Sequence, residues 1–191
     1  MSETMSTDEY CRTPETTKPQ ELVWGMVREA AAPTPRHQQA VGDFFFHLRL
    51  HLAGADGGDE SGPARRLGRV WMAPIDVVLD PMAALVVQPD VVVMLNDRLH
   101  LVTDRIWGAP DLVVEVMSPR PRIGSLDERL AWFGQYGVRE CWLVEQMDHE
   151  CEIVTFGERG IASQRTFGPR QPLGSAVLPQ FTMTTTAILG G

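Results

Sequence analysis

The stretch WGAPDLVVEVMSP, residues 107–119, sets two acids into an otherwise apolar run. Asp111 and Glu115 flank Leu112, Val113 and Val114, and Val116 and Met117 follow. The valine-dense centre reads as a strand buried on both faces. Side chains on a strand alternate, so positions 111, 113, 115 and 117 share one face. A carboxylate on such a face is costly unless it is paired, protonated or bound to a cation. Asp111 follows a proline at the strand entrance, where an acid reads equally well as a turn or cap residue. Glu115 stands mid-strand with apolar neighbours on both sides, so it needs a compensating charge.

Two further valine-rich runs precede this one, GRVWMAPIDVVL (68–79) and VVQPDVVVML (86–95), and each reads as a buried strand. NDRLHLVTDRIWG, between the second run and the opening stretch, reads as a hairpin-like excursion. Val41, Phe45, Leu48 and Leu52 recur at three and four, which predicts an amphipathic helix from His37 to about Ala53. SLDERLAWFGQYG (125–137) predicts a second helix, with Ser125 and Glu128 as a capping box and Gly137 as its end. ELVWGMVRE (21–29), CWLVEQ (141–146) and CEIVTF (151–156) add strands, and the tail from 161 offers short strand-like pieces and loops. The order predicts an α/β fold with a mixed central sheet flanked by helices and extra edge strands. Residues 21–191 form one domain in this reading. Residues 1–20, polar and proline-bearing, form a mobile arm that adds little to the core.

Composition narrows the function. The chain has 191 residues, 43% of them hydrophobic and 22% charged, as expected of a soluble globular protein. No apolar stretch approaches the roughly 18 residues that span a bilayer, and the N-terminus lacks the order of a secretion signal. A cytoplasmic location without membrane contact is the expectation. Cys11, Cys141 and Cys151 form no C-x-x-C pair, so neither a zinc knuckle nor a disulfide framework is supported. A net charge of −8 argues against gripping nucleic acid through bulk charge. A metal-dependent nuclease survives that argument, because its acids are neutralised by the bound cation and its contacts are local. Lys18 is the only lysine.

The strands contribute Asp76, Asp90, Asp111 and Glu115. Two carboxylates meeting from adjacent strands suit a hard divalent cation such as Mg²⁺, which takes oxygen ligands and keeps several waters. Such an ion stabilises charge on a phosphoryl oxygen and lowers the pKa of an attacking water. Asp76, like Asp111, also reads as a turn residue, which leaves Glu115 the firmest candidate.

The order ELVWG, PRHQQAV, APIDVVL, VVQPDVVVM, GAPDLVVEVMSP, YGVRECWLVE and LGSAVLPQFTM resembles the Uma-type restriction endonuclease family, part of the PD-(D/E)XK nuclease superfamily. The resemblance runs from about residue 20 into the tail. It implies a Mg²⁺-dependent core, with Mn²⁺ as a substitute, that cleaves phosphodiester bonds in DNA. Asp90 matches the superfamily's PD aspartate and Glu115 the acid of its (D/E)XK strand, and these two would hold the metal. Asp111 is a further catalytic candidate. The lysine expected two residues after the acid is Met117 here. In this family that lysine typically lies on the following helix, where this chain has Arg129, and an aspartate often found near that helix's start is Ser125. Glu21 and His37 fall in segments that resemble family patterns and are accessory candidates.

Arg129 lies three residues after Leu126 and four before Phe133, so it borders the buried stripe of its helix and needs a fixed partner, Glu115 or Asp90. Two roles are open to it, a structural ion pair or an electrostatic clamp on a phosphate. A guanidinium does not shed its proton near neutral pH, so proton transfer is not among them. Arg65 and Arg66, beside the Gly- and Asp-rich loop 54–66, read as solvated surface or as a contact to a nucleic-acid backbone. Two functions follow. One is a Mg²⁺-dependent endonuclease acting on DNA, with a homodimer compatible with it. The other is a degenerate nuclease fold kept as a binding or assembly module, its cleavage lost with the lysine.

Overall fold

The computed structural model describes residues 4–14, 16, 18–54, 66–118 and 123–190. In chain order its elements begin α1 (Thr7–Cys11), β1 (Gln20–Val23), β2 (Met26–Glu29), α2 (Pro35–Leu52), β3 (Gly68–Met72), β4 (Val77–Asp80), β5 (Leu85–Val87) and β6 (Val91–Leu95). A short 3-10 helix (Asn96–Leu101) follows, then β7 (Ile106–Trp107), β8 (Leu112–Val116), α3 (Leu126–Tyr136), β9 (Glu140–Glu145), β10 (Glu150–Gly157), β11 (Gly160–Phe167) and α4 (Thr185–Ile188).

β8 is buried at every position because it has a strand on each side and a layer on each face. It pairs antiparallel with β6 and parallel with β9, in a six-stranded sheet ordered β11-β10-β9-β8-β6-β3. Leu112, Val114 and Val116 pack with Phe44, Leu48 and Leu52 of α2, and with Leu178, Phe181 and Ile188 from the tail. Val113 points the other way, into a core shared with Leu130 and Phe133 of α3 and with Val77 and Leu85. Full burial of each such side chain contributes about 1.5–3 kcal/mol, so the valine density of the strand follows from its two dry faces. A second sheet, ordered β2-β1-β5-β4-β7, completes the mixed α/β fold.

Both helices start where the sequence caps them. Thr34 accepts a hydrogen bond from the His37 amide, with Pro35 in the first turn of α2. Ser125 and Glu128 form the capping box of α3, and Gly137 ends it at φ 94°, a left-handed conformation that favours glycine.

Three expectations are corrected. The runs 68–79 and 86–95 are not single strands: the first divides into β3 and β4, the second into β5 and β6, and each half joins a different sheet. Pro74 and Pro89 mark the divisions, since proline cannot donate to a ladder. The stretch 96–108 is hairpin-like only at its tip, where Val102 and Ile106 form an antiparallel bridge; a 3-10 turn precedes it, and β7 adds to the edge of the second sheet, parallel to β4. Nor do the described residues before β1 all stand outside the core. Ser6 caps α1, and Tyr10 is buried with Leu22, Val78 and Val86. The Tyr10 hydroxyl donates to the Gln20 carbonyl at 3.2 Å, and Thr7 donates to the Pro81 carbonyl at 2.9 Å.

The tail is fixed by a buried acid. Glu140 is fully enclosed at the start of β9. Its Oε2 accepts from Ser175 Oγ at 2.6 Å and from the Trp142 indole at 3.1 Å, and its Oε1 accepts from the Ala176 amide at 2.6 Å. These bonds repay its desolvation and hold the loop before Leu178 against the sheet.

Candidate active site

Asp90 ends the crossing from β5 to β6. Its Oδ2 accepts a hydrogen bond from the Val116 amide of β8 at 2.7 Å and lies 3.3 Å from His37 Nε2 on the first turn of α2. Val91 stands opposite Val114 in the β6–β8 register. Extending that register by one residue sets Asp90 opposite Glu115, on the face of Val92 and Val113. Directly opposed residues bring their Cβ atoms to about 5 Å.

Glu115 is 3% exposed, and its counter-charge is Arg129, also 3% exposed. Glu115 Oε1 accepts from Arg129 Nη2 at 2.6 Å and from Nε at 3.0 Å. Arg129 Nη1 meets both oxygens of Glu21 at 2.8 Å, and the guanidinium lies 5.5 Å from the centre of the Phe133 ring. Glu21, 2% exposed in β1, is itself fixed by the Gln88 amide, which donates to its Oε1 at 2.7 Å. Burial works against the arginine's charge, but the fields of Glu115 and Glu21 outweigh it and raise its pKa further. Arg129 is therefore a permanent cation.

Glu21, His37, Gln88, Asp90, Glu115 and Arg129 line one cleft of about 310 Å³. Its walls are small and apolar, from Ala30 to Pro33 on one side and Ala73 with Pro74 on another. His37 is buried behind it, and His37 Nδ1 has no hydrogen-bond partner among the described residues. Among the described residues the cleft gathers three carboxylates, of Glu21, Asp90 and Glu115, and the guanidinium of Arg129. Among the described residues no cluster of three or more His, Cys, Asp or Glu side chains forms a ready cage for a metal. The donor set nevertheless fits a hard cation that takes one or two carboxylates and keeps its waters.

Asp111 does not join the cleft. It lies at the far end of β8, about 13 Å along the strand from Glu115 at the usual rise. There it is fully buried, accepting from the Leu95 amide at 2.7 Å and facing Arg139 at 3.0 Å and Arg98 at 3.4 Å. It is a strand-end clamp, the turn-residue alternative for an acid after proline. Asp76 is likewise paired, with Arg105 at 3.1 Å. Arg66 is exposed and does not line the cleft, and Arg65 lies outside the described residues. Gln88 is the cleft residue that sequence reasoning missed. Its one signal was a polar side chain breaking the valine run just before Pro89 and Asp90.

Comparison with known proteins bears on the family and the fold. A family model described as "Uma2: Putative restriction endonuclease" matches residues 7–186. A crystal structure described as "a putative nuclease belonging to DUF820 from Anabaena variabilis ATCC 29413" superposes with a TM-score of 0.77 at 14% identity, covering 97% of each chain. At that identity the likeness shows the fold, which is restriction-endonuclease-like. No curated protein sequence matches. Among the described residues no helix is long and apolar enough to cross a membrane. The match over nearly the whole length, on a fold that gathers Glu21, His37, Asp90, Glu115 and Arg129 into one cleft, places this chain in the Uma2 family.

Proposed function

We propose that this chain is a divalent-cation-dependent nuclease that hydrolyses phosphodiester bonds in DNA. The observation that carries the reading is that Asp90, bonded to the Val116 amide, and Glu115 line one acidic cleft of a Uma2-family chain. Asp90 and Glu115 would hold Mg²⁺ or Mn²⁺, which supplies Lewis acidity toward a phosphoryl oxygen and a more acidic bound water.

The chain's own residues do the rest. The Val116 amide and His37 fix the Asp90 carboxylate, and Arg129 fixes Glu115. A guanidinium has five N–H groups. Those of Arg129 go to Glu115 twice, to Glu21, and at 3.4 Å to the Ile123 carbonyl. One N–H on Nη2 is left for a phosphate oxygen. Arg129 therefore acts as a single-bond electrostatic contact to the developing charge, not as a two-pronged clamp, and it moves no proton. The alanine and proline walls offer no side-chain donor or acceptor to compete for the phosphate.

The second reading, a fold retained for binding, is favoured by the same accounting, since Arg129 is nearly saturated by two glutamates. Supercoiled plasmid incubated with Mg²⁺ or Mn²⁺ separates the two. The nuclease reading expects nicking by the parent, loss in Asp90→Asn and Glu115→Gln, and activity kept or raised in Arg129→Lys. No cleavage by the parent and none gained by Arg129→Lys would leave the binding reading in its place.

A further inference from the structure

Resting on that cation reading, we propose that Glu21 is a positioning residue: it holds the Arg129 guanidinium on one oxygen of Glu115, so that arginine and cation share this carboxylate. An unconstrained arginine closes its fork on both oxygens of a carboxylate, in two parallel hydrogen bonds. Arg129 does not. Its Nε and Nη2 both meet Oε1 of Glu115, while Nη1 is drawn aside by both oxygens of Glu21 at 2.8 Å.

Glu21 is a stiff anchor. It sits on β1 one residue before Leu22, which pairs with Val86 of β5, and its Oε1 is fixed by the Gln88 amide. Gln88 is tied in turn, its side chain donating to Asp76 Oδ1 at 2.9 Å. A chain of hydrogen bonds thus runs from the second sheet through Glu21 to the guanidinium, and it ends on Glu115 in the first sheet. Outer partners of this kind commonly change metal affinity about 10- to 100-fold when removed.

A role as one more negative charge would also favour a cation, so the test must part tether from charge. Mn²⁺ binding to the full chain is measured by isothermal titration, with thermal melts beside it. In Glu21→Gln the carbonyl oxygen at the Oε1 position still accepts from Nη1 and from the Gln88 amide, while the second contact to Nη1 and the charge are gone. The tether expects affinity within about twofold of the parent there, the spread of independent effects. Glu21→Ala frees the guanidinium to close on Glu115, and affinity should fall about tenfold or more. In the Arg129→Lys background, where no fork exists, Glu21→Ala should change affinity by less than about twofold. Equal losses in Glu21→Gln and Glu21→Ala, or the same loss in both backgrounds, would overturn the tether while leaving the cation site intact. If Glu21→Ala does not fold, Glu21→Gln decides alone. A folded parent that binds no Mn²⁺ would remove the cation reading and this proposal together.

Discussion

Replacing Arg129 by alanine would remove the guanidinium that bridges two buried carboxylates, Glu21 at 2% and Glu115 at 3% exposure. Removing one partner of a buried ion pair typically costs about 3–5 kcal/mol, because the survivor keeps its desolvation and loses its attraction. Here one cation serves two acids, which pushes toward the upper value. The cleft beside them admits water, which pulls it back. About 3–5 kcal/mol is therefore the expected loss. For a chain of this size it lowers the melting temperature by about 6–20 °C. The pair is shielded from the ionic atmosphere, so the deficit should persist in 1 M salt. Differential scanning calorimetry and urea titration of parent, Arg129→Ala and Arg129→Lys measure it, with lysine intermediate because its single ammonium cannot span both glutamates. The cleft of Arg129→Ala carries one more uncompensated negative charge. Millimolar Mn²⁺ should accordingly raise its melting temperature more than it raises the parent's. A loss below about 1 kcal/mol would refute the reasoning, since it would mean that neither glutamate depends on the arginine for its burial. Cleavage lost out of proportion to stability would add a contact to the transition state.

Other outcomes follow from the same structure. Glu140→Gln should cost about 2–4 kcal/mol in urea titrations, since its amide sets a donor against the donors of Ser175, Trp142 or Ala176. Tyr10→Ala should cost about 3 kcal/mol and expose α1 to proteolysis; a neutral result would return the N-terminal segment to the surface. Hydrogen bonds from the Trp107 indole and from Thr103 hold Asp104 down at about 2, from an ordinary 3.8. A depressed carboxyl contributes stability above its unfolded pKa and loses it as pH falls through the folded one. Between pH 4 and 2, Asp104→Asn should therefore lose less stability than the parent, and the Trp107 indole N–H resonance should titrate near pH 2.

Much of this was legible in the sequence because local chemistry agreed with tertiary demand. The helix α2 announces itself by its apolar period, though its Thr34 cap and first two residues do not, and α3 by its period with Ser125 and Gly137 at its ends. Glu115 was legible as a site residue because a mid-strand acid in a valine run needs a partner, and its partner is one of the two expected for Arg129. Asp111 looked similar but sits after a proline, and its clamp on Arg98 and Arg139 depends on contacts no local pattern records. Glu21 could be connected to Arg129 only by the fold, which joins residues 108 apart in the chain. Tyr10 was missed because one buried aromatic in a polar segment produces no periodic signal. The division of the valine runs was missed for a related reason: both halves are equally apolar, and only the sheet each one joins tells them apart.

That division makes the cleft a seam. The chain passes between its two sheets twice in quick succession, at residues 73–76 and 88–90, and Ala73, Pro74, Gln88 and Asp90 of these crossings line the cleft. The stitches are too short to stretch, so neither sheet can tilt against the other without reshaping the space between them. Substitutions at the crossings can alter what the cleft admits while both cores stay as they are, and repacking of either core will be felt at Asp90.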